Sequence, residues 1–159
     1  MRPVLLFLVA FAASTSFAQK YAGPVPEKED VPYIVQADHL IATESATAEE
    51  QKGKKDETIY VVAGASSKAR TPLASPTFVL KVKDLAPEKL QLFKLDVKNG
   101  HREITLHTGK RAKNPDPVHV DIKRVGDDLV QLQVSDSLTN GQYSFSPQGS
   151  NDVFCFEVY

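Results

Sequence analysis

A chain of 159 residues, 42% of them hydrophobic and 25% charged, is long enough to bury one respectable core. With 19 basic and 20 acidic side chains the net charge is −1, which gives no electrostatic reason to expect nucleic acid or an anionic membrane as partner. The single cysteine, Cys155, excludes a disulfide within the chain, so stability has to come from packing.

Met1 to Ala18 combines Arg2, an apolar run from Val4 to Ala13 and the small-residue ending Ser16-Phe17-Ala18, the layout of a secretory signal peptide cut after Ala18. The run is too short to span a bilayer, and no later segment approaches that length. The expectation is a secreted or periplasmic protein with no lipid anchor, since no cysteine stands at the cut. Gln19 to Pro32, with three prolines and Glu27-Lys28-Glu29-Asp30, reads as a flexible leader. Residues 33–159 then form a single domain.

The domain opens with a strand over Tyr33–Thr43, weakly alternating through Ile34, Leu40 and Ile41. Glu44 to Glu57 has almost nothing to bury. It reads as a solvated loop, or at most one helical turn behind Thr47 with Glu50 as capping partner, and its alternative role is electrostatic docking. Thr58–Ala63 is a β-branched run suited to a buried strand. Gly64–Pro76 follows as a small-residue surface loop in which Lys68 and Arg70 offer cations for an oxyanion or glycan. Thr77–Val82 returns to a strand with Phe78, Leu80 and Val82 on one side, and Asp84–Lys89 turns at Pro87.

Leu90–Lys98 and His101–Thr108 flank Asn99-Gly100, a hairpin signal because a type I′ turn needs positive φ at both central positions. The two-residue loop sets Val97 against Arg102, Leu95 against Ile104 and Phe93 against Leu106. It also sets Asp96 against Glu103, a like-charge pair for which Lys94 and Lys98 are the available remedies. Gly109–Asp116 is a basic loop with Lys110, Arg111 and Lys113, without the interleaved aromatics that single-stranded nucleic acid requires. Val118, Val120 and Ile122 alternate, Gly126-Asp127-Asp128 turns the chain, and the return strand places Ile122 opposite Leu132 and Val120 opposite Val134.

After the turn at Asn140-Gly141, Tyr143 and Phe145 share one face. Beyond the loop Ser146–Asp152, Phe154, Phe156 and Val158 share a face of the next strand, turned to the same side. Five large apolar side chains on two neighbouring strands demand cover from the rest of the chain. Leu138-x-x-Gly141-x-Tyr143 resembles the tyrosine corner of immunoglobulin-like and fibronectin type III β-sandwiches. There the Tyr hydroxyl bonds back to main chain a few residues upstream. The resemblance spans about ten residues and implies an architecture, not an activity. The chain departs from antibody domains in having no Trp and no second Cys. The fold expected is an all-β antiparallel sandwich of eight or nine strands.

For chemistry, His101, Glu103 and His107 fall on one outward strand face, with His119 and Asp121 on the corresponding face of another. If those strands were neighbours, His107, His119 and a carboxylate would approach a zinc ligand set. No nucleophile elbow, phosphate-binding Gly loop or H-E-x-x-H motif is present. Cys155, between Phe154 and Phe156, reads as a small buried hydrophobe, the alternative being an exposed thiol that couples to another chain. The expected protein is a non-enzymatic binding or accessory module without a cofactor, recognising a protein or a glycan through the loops Gly64–Pro76 and Gly109–Asp116. The rival readings are a metal protein built on His101, Glu103, His107 and His119, and a subunit that pairs through a free C-terminal edge strand.

Overall fold

The computed structural model describes residues 21–108 and 113–159, so the expected signal peptide lies outside the described residues. Within them the chain is all-β. In order the strands are β1 (Pro32–Gln36), β2 (His39–Ala42), β3 (Glu44–Thr47), β4 (Glu49–Lys52), β5 (Glu57–Val62), β6 (Arg70–Thr71) and β7 (Thr77–Lys81). A turn of 3-10 helix, Pro87–Lys89, precedes β8 (Leu90–Lys98), β9 (His101–His107), β10 (Val120–Arg124), β11 (Leu129–Val134), β12 (Gly141–Pro147) and β13 (Asp152–Val158). Among the described residues no helix is long and apolar enough to cross a membrane.

Two antiparallel sheets face each other. The first runs β10-β11-β7-β1-β2; the second runs β3-β13-β12-β8-β9-β5-β4, with the short β6 added parallel to β13. The core between them forms because every strand that meets it alternates. Phe78, Ile34, Val130, Leu132 and Val134 from the first sheet close over Leu92, Tyr143, Phe145, Phe154, Phe156 and Val158 from the second. The five side chains that demanded cover are therefore buried, with Phe78 edge-on to both Phe145 and Phe156 at 4.9 Å between ring centres. Edge-to-face contacts of this kind add to the value of the buried area.

The second sheet is more than a flat layer. Its two outermost strands, β3 and β4, are separated in the chain by Ala48 alone. One residue cannot bridge the width of an open sheet, so the edges are drawn together and the sheet curls into a tube. Ala48 is buried at the junction and its N–H donates to the carbonyl of Asn151 at 2.7 Å. A second cluster, Ala48, Val62, Leu95, Val153 and Cys155, fills part of the tube.

Several expectations change. Tyr33–Thr43 is a hairpin, not one strand: Gln36 pairs with His39 across Ala37-Asp38, and Ala37 takes a positive φ of 52° without the Gly or Asn that normally signals such a turn. Glu44–Lys52 is two strands rather than a solvated loop or helical turn. The segment buries little of its own side-chain surface, yet the open edges of β13 and β5 satisfy its backbone. These additions raise the strand count to thirteen among the described residues. The C-terminal strand is not a free edge, because β12 lies on one side of β13 and β3 and β6 lie on the other. Glu29 and Asp30, at the end of the segment read as a leader, are tied down. Glu29 pairs with Lys81 and Lys83, and Asp30 accepts N–H bonds from Lys83, Asp84 and Leu85.

Both hairpin registers hold where they were set by the turn. Asn99 and Gly100 have φ of 50° and 79°, Val97 pairs with Arg102, and Asp96 with Glu103. Val120 pairs with Val134 and Ile122 with Leu132. Lys98 relieves the like-charge pair, with Nζ 2.8 Å from Glu103 and 3.5 Å from Asp96. Lys94 does not take part; its Nζ donates to Thr139 Oγ1 at 2.7 Å. The β8–β9 ladder stops at Asp96–Glu103, so the expected pairs of Leu95 with Ile104 and Phe93 with Leu106 do not form.

Candidate functional site

The split between β8 and β9 positions the site. Beyond Asp96 the first half of β8 leaves β9 and pairs with β12, from Leu95–Gln142 to Leu90–Pro147, while β9 continues along β5. The returning chain holds the two strands apart. Val118 N–H donates to the Leu92 carbonyl at 2.8 Å, and the Asn114 amide exchanges two bonds with the backbone of His107, at 2.6 and 3.1 Å. With the ladder open, the side chains that would have packed across it face an interior space of about 350 Å³ inside the curled sheet.

Its walls follow from strand alternation: residues pointing away from the sandwich core point into the tube. These are Phe93 and Leu95 of β8, Ile104 and Leu106 of β9, Tyr60 and Val62 of β5, Val153 of β13 and Ala48. Ser144 and Ser146 of β12 form the one polar wall, their hydroxyls 3.3 Å apart. The rim is Gln91 and the β12–β13 turn from Pro147 to Asn151, of which Gln148, Gly149, Ser150 and Asn151 are exposed, so the space opens there.

On the same interior face as Ile104 and Leu106 lies Arg102, completely buried. Its guanidinium donates to Glu44 Oε1 at 2.7 Å and to the carbonyls of Ala63 and Gly64 at 2.6 and 2.9 Å. Burial pushes the Glu44 carboxyl up, but hydrogen bonds from Arg102 and from the Lys68 N–H and the charge of Arg102 outweigh it. The group therefore titrates below its ordinary value of 4.5. Cys155 is fully buried and its thiol is pushed up to about 11, chiefly by burial, which keeps it protonated and unreactive at neutral pH. The reading of Cys155 as a buried hydrophobe describes what is seen.

The sequence-derived candidates disperse. His101 Nε2 lies 2.8 Å from Glu103, His107 Nδ1 3.9 Å from Glu57, and His119 Nε2 3.3 Å from Asp121. Each of these three histidines thus has its own carboxylate, and no group of three His, Cys, Asp or Glu converges among the described residues. In the loop Gly64–Pro76, Arg70 is engaged by Glu157 at 3.0 Å and lies over the Tyr159 ring, 4.5 Å from its centre. Ser67 is buried, its N–H donating to Gln142 and its hydroxyl to the Cys155 carbonyl. The segment stays on the surface over Gly64–Ser66 and Pro72–Ser75, and between them β6 ties it to β13. Lys68 is exposed, as is Lys113, while Lys110 and Arg111 lie outside the described residues.

Tyr143 is buried and its hydroxyl donates to the Thr139 carbonyl at 2.8 Å, the upstream bond that the tyrosine-corner resemblance implies. Gly141 has φ of +153°, a backbone conformation that residues with a Cβ rarely adopt, so a substitution at the corner is strained. Sequence reasoning missed the cavity because its wall residues look like ordinary strand interiors; the signal lay in Ala46 and Ala48, small residues where a strand has to cross closely. Compared with protein families, with curated proteins and with solved structures, the chain matches none.

Proposed function

We propose that the chain is an exported, non-enzymatic binding module of immunoglobulin-like architecture that holds a small molecule inside its curled sheet. The observation that carries this reading is the apolar space of about 350 Å³ between β8, β9 and β5. Small-molecule sites occupy about 300–1,000 Å³ and combine mostly apolar walls with a few polar groups, as here. The layout of Met1–Ala18 supports export.

Strand order supports the architecture. β1, β7, β11 and β10 stand where strands A, B, E and D stand in an immunoglobulin sandwich, and β8, β12 and β13 stand where C, F and G do. The Tyr143 bond at the start of β12 agrees with it. Strands β2 to β6, inserted between the first two positions, bring Ala48, Tyr60 and Val62 to the wall while β8, β9, β12 and β13 supply most of it, so the ligand site lies where the insertion closes over the common framework.

Titration with the uncharged, environment-sensitive dye 6-propionyl-2-(dimethylamino)naphthalene tests the reading. Saturable one-to-one binding with a blue-shifted emission is expected. Leu106→Trp, which puts an indole in the space, should abolish the shift while the far-ultraviolet dichroism stays that of a β protein. An unshifted emission, or equal binding by the variant, would refute the site.

A further inference from the structure

Resting on the reading of this space as the binding site, we infer that its ligand is an uncharged molecule with an apolar body and one hydrogen-bonding end that meets Ser146 and Gln91 at the rim. None of the residues facing the space is Asp, Glu, Lys, Arg or His. The nearest interior charges, Arg102 and Glu44, are spent on each other and on the carbonyls of Ala63 and Gly64. An ion entering the tube would shed water and meet no counter-charge, which is unfavourable. A glycan fits no better, since its many hydroxyls would face Phe93, Leu95, Ile104 and Val153.

The polar end has a defined place. Ser144, in the wall itself, is completely buried and its hydroxyl donates to the Phe145 carbonyl at 3.2 Å, so Ser146, half-buried and 3.3 Å away, is the hydroxyl placed to meet the polar end of a ligand. With the Ser144 proton so placed, the Ser146 hydroxyl donates to Ser144 and keeps its acceptor sites, so it takes an O–H from the ligand. Gln91, half-buried on the neighbouring strand and paired with Ser146 in register, adds an amide at the same level. Apolar depth below and neutral polar groups above select a neutral amphiphile.

Competition against the naphthalene dye tests the class with compounds of one shape. 2-Naphthalenemethanol should displace the dye at a concentration at least about tenfold below that of 2-naphthoate or 2-naphthylmethylammonium. Ser146→Ala should weaken the alcohol by about 2- to 10-fold and leave 2-methylnaphthalene unchanged, the loss expected for one hydrogen bond. A carboxylate or ammonium that competes as well as the alcohol overturns the inference while leaving the site standing, and so does an alcohol indifferent to Ser146→Ala. Failure of the dye itself to bind removes both. Displacement of the dye by extended peptides but by none of the naphthalenes overturns it in favour of a strand that docks between β8 and β9.

Discussion

Replacing Glu44 by Gln keeps the shape of the side chain and removes its charge, leaving Arg102 buried with carbonyl partners only. The Arg102 side chain is 1% exposed and Glu44 is 27% exposed. Breaking a fully buried ion pair costs about 3–5 kcal/mol. Because water reaches part of Glu44, the expected cost at neutral pH is below that, about 2–3 kcal/mol, or a fall in Tm on the order of 6–12 °C for a domain of this size.

The pH dependence is specific. The Glu44 carboxyl titrates below its ordinary value of 4.5 in the folded protein, so its stabilisation is present above that value and is lost as the pH falls through the folded pKa. Urea unfolding of the wild type and of Glu44→Gln, at neutral pH and again in acid well below 4.5, should show a gap that narrows on acidification. Equal stability at neutral pH, or a gap that acid leaves unchanged, would refute the reading of Glu44 as the charge that stabilises buried Arg102.

Tyr143→Phe should lower stability by about 1 kcal/mol, a Tm loss of a few degrees, since it deletes one hydrogen bond to Thr139 and keeps the ring in the core; an unchanged thermal melt would remove the corner from the account. Cys155 should resist 5,5′-dithiobis(2-nitrobenzoic acid) in the native state and react fully on unfolding, because the thiol is inaccessible and protonated. Prompt modification of the folded protein would contradict its placement.

The sequence by itself determined the class of fold and the sandwich core. Alternation at Phe78, Tyr143, Phe145, Phe154 and Phe156 marks which faces are buried. A two-residue turn at Asn99-Gly100 sets the register of its hairpin, because these are local constraints of period and dihedral angle. It did not determine the tube. Glu44–Lys52 forms two strands only because β13 and β5 offer it unpaired backbone, and Leu95 and Ile104 separate only because β12, Val118 and Asn114 compete for the two strands. Arg102 likewise looks like a solvated cation beside a turn until the curl brings Glu44 and the carbonyls of Ala63 and Gly64 around it. The Arg102 partners lie 38 to 58 residues away in the chain, a separation at which periodicity and propensity carry no information.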